Sequence, residues 1–296
     1  MYYFHAQLNI HLMASIPQKV VDRLVAGIKK FQPVLAAAQS HDANESDTVI
    51  IITDMLSEIF GYDKYSEITS EKCIRGTFCD LSIKVNEVTQ SFIEAKAINQ
   101  ELKENYVKQA VDYAVNGPVD WVVLTNGILW RVYRVIFSKP VDHELVVEIN
   151  FLALNHHNQA DLETLFLYTK ESWAKSALSD FYDQKQALSR FSIGAVVLSE
   201  PVLMVLKREL KRVSPDVKID IEQIRTVLEQ EVLKREVVEG DKAEEANKRI
   251  SKAANKALRN KVEKTPVREP SDNAVQNPQL DNSAPSGTAI PASLPV

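Results

Sequence analysis

Asp80, Glu94 and Lys96 are the residues of this chain whose types and spacing most directly suggest chemistry. Asp80 lies in Phe78-Cys79-Asp80-Leu81-Ser82-Ile83-Lys84-Val85, where apolar and polar residues alternate as in a strand buried on one face. A second run, residues 88–96, follows the turn-prone pair Asn86-Glu87, so the two runs are expected to pair as an antiparallel hairpin. Strand side chains alternate faces. Glu94 and Lys96 therefore share a face, and Asp80 on the neighbouring strand can lie beside them. Two carboxylates supply the oxygen ligands that Mg2+ or Mn2+ takes, and an adjacent ammonium can orient or deprotonate a water and stabilise charge on a phosphate. The plainer alternative for the same three residues is an exposed, salt-bridged hairpin.

At these residues the chain resembles the PD-(D/E)xK nuclease superfamily, in the branch typified by the N-terminal nuclease domain of type I restriction enzyme R subunits and by stand-alone predicted restriction endonucleases. The matching pieces follow in order: Asn44-Glu45-Ser46-Asp47-Thr48, Phe60-Gly61-Tyr62-Asp63, Gly76-Thr77-Phe78-Cys79-Asp80, Ile93-Glu94-Ala95-Lys96, Gln109-Ala110-Val111-Asp112-Tyr113, then Leu124-Thr125-Asn126-Gly127 with Trp130 and Tyr133. Cys79 replaces the proline that names the motif, at a position that donates nothing to a metal. The likeness covers residues 40–137 well and the remainder more loosely.

The resemblance implies an α/β, restriction-endonuclease-like core of helix, β-hairpin, helix and mixed sheet, and a Mg2+- or Mn2+-dependent endonuclease acting on DNA in restriction or defence. Asp80 and Glu94 would hold the metal, the Ala95 carbonyl would complete the coordination, and Lys96 would orient the nucleophile. Glu45 would be an auxiliary metal or water ligand, unless it is simply a first-turn acid favoured by the helix dipole. Gln109 and Tyr113 would contact phosphate or a metal-bound water, unless they belong to an ordinary amphipathic helix. No G-x-x-x-x-G-K-[ST] occurs, so any translocation would come from a separate translocase or modification subunit; a homo-oligomer is also open. The rivals are a catalytically idle DNA-binding or assembly module on the same fold, and a nuclease of RNA or modified DNA.

With 296 residues, 45% of them hydrophobic, the chain can build one large domain or two modest ones. Cys73 and Cys79 are the two cysteines and form no C-x-x-C, which argues against a disulfide framework or zinc site and fits the cytoplasm. No signal peptide and no membrane-spanning run is expected, and Met13-Ala14-Ser15 reads as an alternative start. The net charge of −5 speaks against a nucleic-acid partner until its distribution is considered. Residues 1–157 hold 14 Lys and Arg against 19 Asp and Glu, whereas residues 158–265 hold 20 against 18. Residues 247–264 hold seven basic residues against one acid, as a phosphate-binding arm or a solvated helix.

These patterns divide the chain into a nuclease core at residues 1–157, a helical lobe at 158–264 and a Pro- and Ser-rich, disordered tail at 265–296. In the core, helices are expected over residues 17–39, with Pro33 as a break or restart, and over 47–60 with Asn44 and Ser46 as caps. The hairpin follows, then a helix over 101–116 ending at Gly117-Pro118, strands over 121–125 and 129–136 around the Asn126-Gly127 turn, and a strand over 144–151. Trp121, Trp130 and Tyr133 read as hairpin core rather than base-stacking platforms, and Lys103 and Lys108 as solvated positions flanking their helix. The lobe reads as helices over 161–168, 172–189, 201–213 and 219–236; the turn at Ser214-Pro215-Asp216 permits a winged-helix or helix-turn-helix arrangement.

Overall fold

The structure is a computed structural model and describes residues 16–74, 77–117 and 119–263. The expectations for the alternative start, Gly76, Pro118 and the tail 265–296 lie outside the described residues. The first helix, α1 (Gln18–Ser40), buries Val20, Leu24, Ile28, Phe31 and Leu35 along one stripe. It runs unbroken through Pro33, contrary to the expected break. Proline removes one helical hydrogen bond and crowds the preceding turn. Here Phe31 and Leu35 are anchored on either side, and Gln32 Nε2 donates to the carbonyls of Phe151, Leu152 and Leu154 at 3.2, 3.3 and 2.8 Å. Tertiary contacts outweigh the local signal. The second helix, α2 (Glu45–Glu58), begins at Asn44, whose side chain accepts from the Asp47 backbone N–H.

Next come β1 (Ile68–Ile74), β2 (Thr77–Val85), β3 (Val88–Ala95), α3 (Glu104–Asn116), β4 (Trp121–Thr125), β5 (Leu129–Ile136) and β6 (Asp142–Asn150). They form one mixed sheet in the order β1-β2-β3-β4-β5-β6. β3 and β4 are parallel, joined through α3; every other neighbouring pair is antiparallel. The two faces follow from side-chain alternation. Leu81, Ile83, Ile93, Ala95 and Val123 pack with α1 and α2, while Phe92, Val122, Leu124 and Val135 pack with Val107, Ala110, Val111 and Ala114 of α3. Trp121, Trp130 and Tyr133 are buried, with Trp130 edge-on to Phe60 and Tyr168 at 5.2 and 6.1 Å between ring centroids.

The core shared by α1, α2 and the sheet continues past residue 157 through α4 (Gln159–Phe166), α5 (Lys170–Ala174) and α6 (Ala177–Ala187), as far as Leu178. Residues 172–189, expected as one helix, are divided at Ser176, whose φ of 58° is left-handed. Then follow α7 (Arg190–Val197), α8 (Glu200–Val213), α9 (Ile221–Val227), α10 (Arg235–Val238) and α11 (Asp241–Glu263). Helix α9 runs on into a π-helical segment at Leu228–Val232, and the chain becomes extended at Leu233 before α10, so residues 219–236 are not one helix. The connection between α8 and α9, residues 214–220, is longer than the three- or four-residue turn of a helix-turn-helix, and no strand follows Asn150 among the described residues to make a wing. No described helix is long and apolar enough to cross a membrane.

Gly27 on α1 packs tightly against Ile59 at the end of α2. A Cβ there would meet Ile59 Cγ1 at 2.7 Å and Cγ2 at 3.0 Å, and Ile59 is fully buried. Gly27→Ala gains up to about 1 kcal/mol of helix propensity but overpacks the core at about 1–3 kcal/mol. The variant is therefore expected to melt below the wild type in a thermal scan; an unchanged or raised midpoint would show that Ile59 can move aside.

Candidate active site

The hairpin that carries the charged residues is closed by Asn86 and Glu87, both at positive φ (52° and 64°), the geometry of a two-residue turn matched to the twist of its strands. The register pairs Leu81 with Ile93 and Ser82 with Phe92, which sets Asp80 opposite Glu94 on the face covered by α3. The Ala95 backbone N–H donates to Asp80 Oδ2 at 2.7 Å, fixing one strand end to the other. Lys96 Nζ donates to Glu94 Oε1 at 2.6 Å, and the Lys96 backbone N–H donates to Thr125 O at 2.9 Å. The three residues thus gather at the carboxyl end of the parallel pair β3 and β4, where open α/β sheets characteristically bind ligands.

Far from an exposed hairpin, Glu94 is only 1% exposed and Lys96 7%. Glu94 Oε2 is buried with no hydrogen-bond partner. Burial pushes the Glu94 carboxyl up to about 7; Lys96 pulls it down, while Asp80 and Glu45 raise it further. For Lys96, burial works against the ammonium, but Glu94, Asp80 and Glu45 outweigh it and lift the amine above its ordinary value. Lys96 is therefore a held cation, suited to orienting a water or stabilising an anion and unsuited to deprotonating anything near neutrality.

Glu45, in the first turn of α2, is half exposed and lies 3.7 Å from Lys96 Nζ through Oε2. Its nearest role is toward the ammonium. Among the described residues no three His, Cys, Asp or Glu side chains form a group that could hold a metal ion. Asp80 and Glu94 alone are an all-oxygen pair, and one or two protein carboxylates with water are what Mg2+ commonly takes. The unpartnered Glu94 Oε2 fits such a ligand.

Gln109 is exposed on α3, and its Nε2 donates to the Tyr113 hydroxyl at 2.8 Å. Tyr113 is buried among the α3 core residues, yet Glu94 and Asp80 contribute to raising its pKa after burial, the largest cause; the hydrogen bond from Gln109 opposes them. Because Gln109 fills the acceptor side of that hydroxyl, the Tyr113 proton remains available to another acceptor. Tyr113→Phe and Gln109→Ala are each expected to lower turnover by about tenfold, the scale of a weakened transition-state hydrogen bond, with the melting midpoint of Gln109→Ala unchanged. A melting shift without a turnover loss would make the pair structural.

Three further residues enter the site that the sequence did not mark as site residues. The Lys96 ammonium stands 5.1 Å from the centre of the Tyr106 ring. Gln100 Nε2 donates to the Tyr106 hydroxyl at 2.5 Å, and Asn126 Nδ2 donates to Gln100 O at 3.0 Å. Tyr106 falls within the helix expected over residues 101–116 and Asn126 in the expected turn; Gln100 lies in irregular chain that carries no period. Neither a family model, a curated protein nor a solved structure matches the chain.

Proposed function

We propose that the chain is a Mg2+- or Mn2+-dependent nuclease that hydrolyses phosphodiester bonds in DNA, on a restriction-endonuclease-like core, in the cytoplasm, as part of restriction or defence. One observation carries this proposal: Asp80 and Glu94 meet across β2 and β3 with Lys96 beside them, and one oxygen of the buried Glu94 has no partner. A fold gains nothing from burying a half-satisfied carboxylate beside a second one, and perturbed groups of this kind concentrate at functional sites.

Asp80, Glu94 and the Ala95 carbonyl would hold the metal, with Glu45 reaching it through water. When bound, the metal supplies Lewis acidity and a reactive water at neutral pH. The chain's own groups do the rest. Lys96, kept charged by Glu94 and Glu45, stabilises negative charge on the phosphate, and Tyr113, aligned by Gln109, donates a hydrogen bond to a phosphate oxygen. Specificity resides in other surfaces, as does any separate translocase or modification subunit.

The deciding experiment incubates the purified chain with plasmid, linear, methylated and single-stranded DNA and with RNA, each with Mg2+, Mn2+ or EDTA. Cleavage of DNA with either metal and none with EDTA is expected. Cleavage that survives the chelator overturns the proposal; cleavage of RNA alone moves it to a ribonuclease. Tight DNA binding without cleavage under any metal would favour an idle module on the same scaffold.

A further inference from the structure

Helix α8 divides into two faces. Val202, Leu203, Leu206, Leu210 and Val213 recur at steps of one to four residues as an apolar stripe, and Leu203 is fully buried. Lys207, Arg208, Lys211 and Arg212 fall on the other side, four cations within two turns. The side chains of Arg208 and Arg212 are 63% and 70% exposed. Both lean on Glu209, at 3.0 and 2.8 Å, and Lys207 lies 3.8 Å from Asp220. Lys211 is exposed and has no ion-pair partner among the described residues. Surface pairs of this kind are worth at most about 1 kcal/mol each, so a stronger anion displaces them.

The other basic segment is differently placed. On α11, Arg249 is exposed, but its guanidinium is engaged by Ser192 Oγ, to which it donates at 2.6 Å, and Lys248 is paired with Glu244 at 3.6 Å. Residues 1–157, with 14 basic against 19 acidic residues, offer little to a polyanion beyond the site itself. A nuclease whose site is acidic needs its cationic approach surface elsewhere on the molecule.

We infer that the basic face of α8 is a docking surface for the phosphodiester backbone of duplex DNA; this deepens the proposed nuclease function and rests on it. Charge complementarity selects the occupant. The same face on a second copy would be repelled, whereas guanidinium groups pair with phosphate oxygens in two-point contacts. Contacts of this kind hold and orient the duplex without reading its bases.

The test is equilibrium binding of the full chain to a non-specific duplex in EDTA, where nothing is cut, between 50 and 200 mM salt. In the combined variant Lys207→Gln, Arg208→Gln, Lys211→Gln and Arg212→Gln, the log–log salt slope is expected to flatten by about 0.9 for each phosphate that the helix no longer neutralises. Glu209→Lys replaces the carboxylate at the edge of this face, on which Arg208 and Arg212 lean, with a cation and is expected to steepen the slope and tighten binding; it decides the matter alone if the fourfold variant fails to fold. Lys248→Gln with Lys252→Gln on α11 should leave the slope unchanged. If the wild type binds DNA and neither α8 variant alters the slope, α8 is overturned while the nuclease proposal stands. If the wild type binds no duplex in EDTA, the docking surface is overturned, and the nuclease proposal is decided separately by cleavage with Mg2+ or Mn2+.

Discussion

Asp80→Asn and Glu94→Gln are each expected to lower DNA cleavage by about a thousandfold or more, since a metal held at the reacting phosphate contributes several kcal/mol and each 1.36 kcal/mol is a factor of ten. The substitutions keep side-chain shape and remove charge. In Asp80→Asn the amide oxygen can still accept from the Ala95 N–H, which lies 2.7 Å from Asp80 Oδ2, so the hairpin end is expected to stay closed. In Glu94→Gln the amide oxygen can still accept from Lys96, which lies 2.6 Å from Glu94 Oε1. Loss of cleavage without a lowered melting midpoint therefore isolates the charge from the fold. Glu148→Gln, which neutralises an exposed carboxylate 2.6 Å from Arg131 on β5, serves as the control and is expected to cut at the wild-type rate. A Glu94→Gln protein that cuts as fast as the wild type would remove Glu94 from the metal site and with it the observation on which the nuclease proposal rests.

How much of this site was legible beforehand depends on the range of the interactions that make it. The convergence of Asp80, Glu94 and Lys96 follows from strand alternation and a two-residue turn, both local properties, and the register of β2 and β3 agrees with it. The same holds for the Asn126-Gly127 turn, where Gly127 has φ 83° and Asn126 Oδ1 accepts from the Leu129 N–H at 2.8 Å. What alternation does not contain is depth. An exposed salt-bridged hairpin and a buried one share the same pattern, and Glu94 is buried because the next two elements, α3 and β4, fold back over the hairpin, which its own alternation does not encode. Strand β1 escaped notice because it is an edge strand of mixed polarity, held by pairing with β2 rather than by a period of its own. Pro33 and Ser176 erred in opposite directions: α1 survives its proline because tertiary bonds from Gln32 hold the turn, whereas the chain after α5 breaks where no proline or glycine announces it.

The metal-free protein is expected to lose stability as pH rises, through Glu94. Its carboxyl has a value of about 7 in the folded chain, against about 4.3 for an unperturbed glutamate. The folded state therefore holds this proton more tightly than the unfolded state does. Between those two values the folded chain binds more protons, so stability falls with rising pH, with the contribution intact below the unfolded pKa and lost once pH passes the folded one. The whole window amounts to on the order of 3 kcal/mol. Other groups titrate over the same range, so the quantity to measure is the difference between wild type and Glu94→Gln in denaturant midpoints with EDTA, from pH 5 to pH 8. The gap is expected to widen in favour of Glu94→Gln up to about pH 7 and to level off by pH 8, because the amide never has to carry charge into the core. Added Mg2+ should narrow it at pH 8 and leave it unchanged at pH 5, since a metal ligand must first shed its proton and binding to the folded state alone stabilises it. Parallel curves with EDTA would show that Glu94 is as easily ionised in the folded chain as in the unfolded one. The buried oxygen without a partner would then be reached by solvent, and the site would have no strained carboxylate for a cation to relieve.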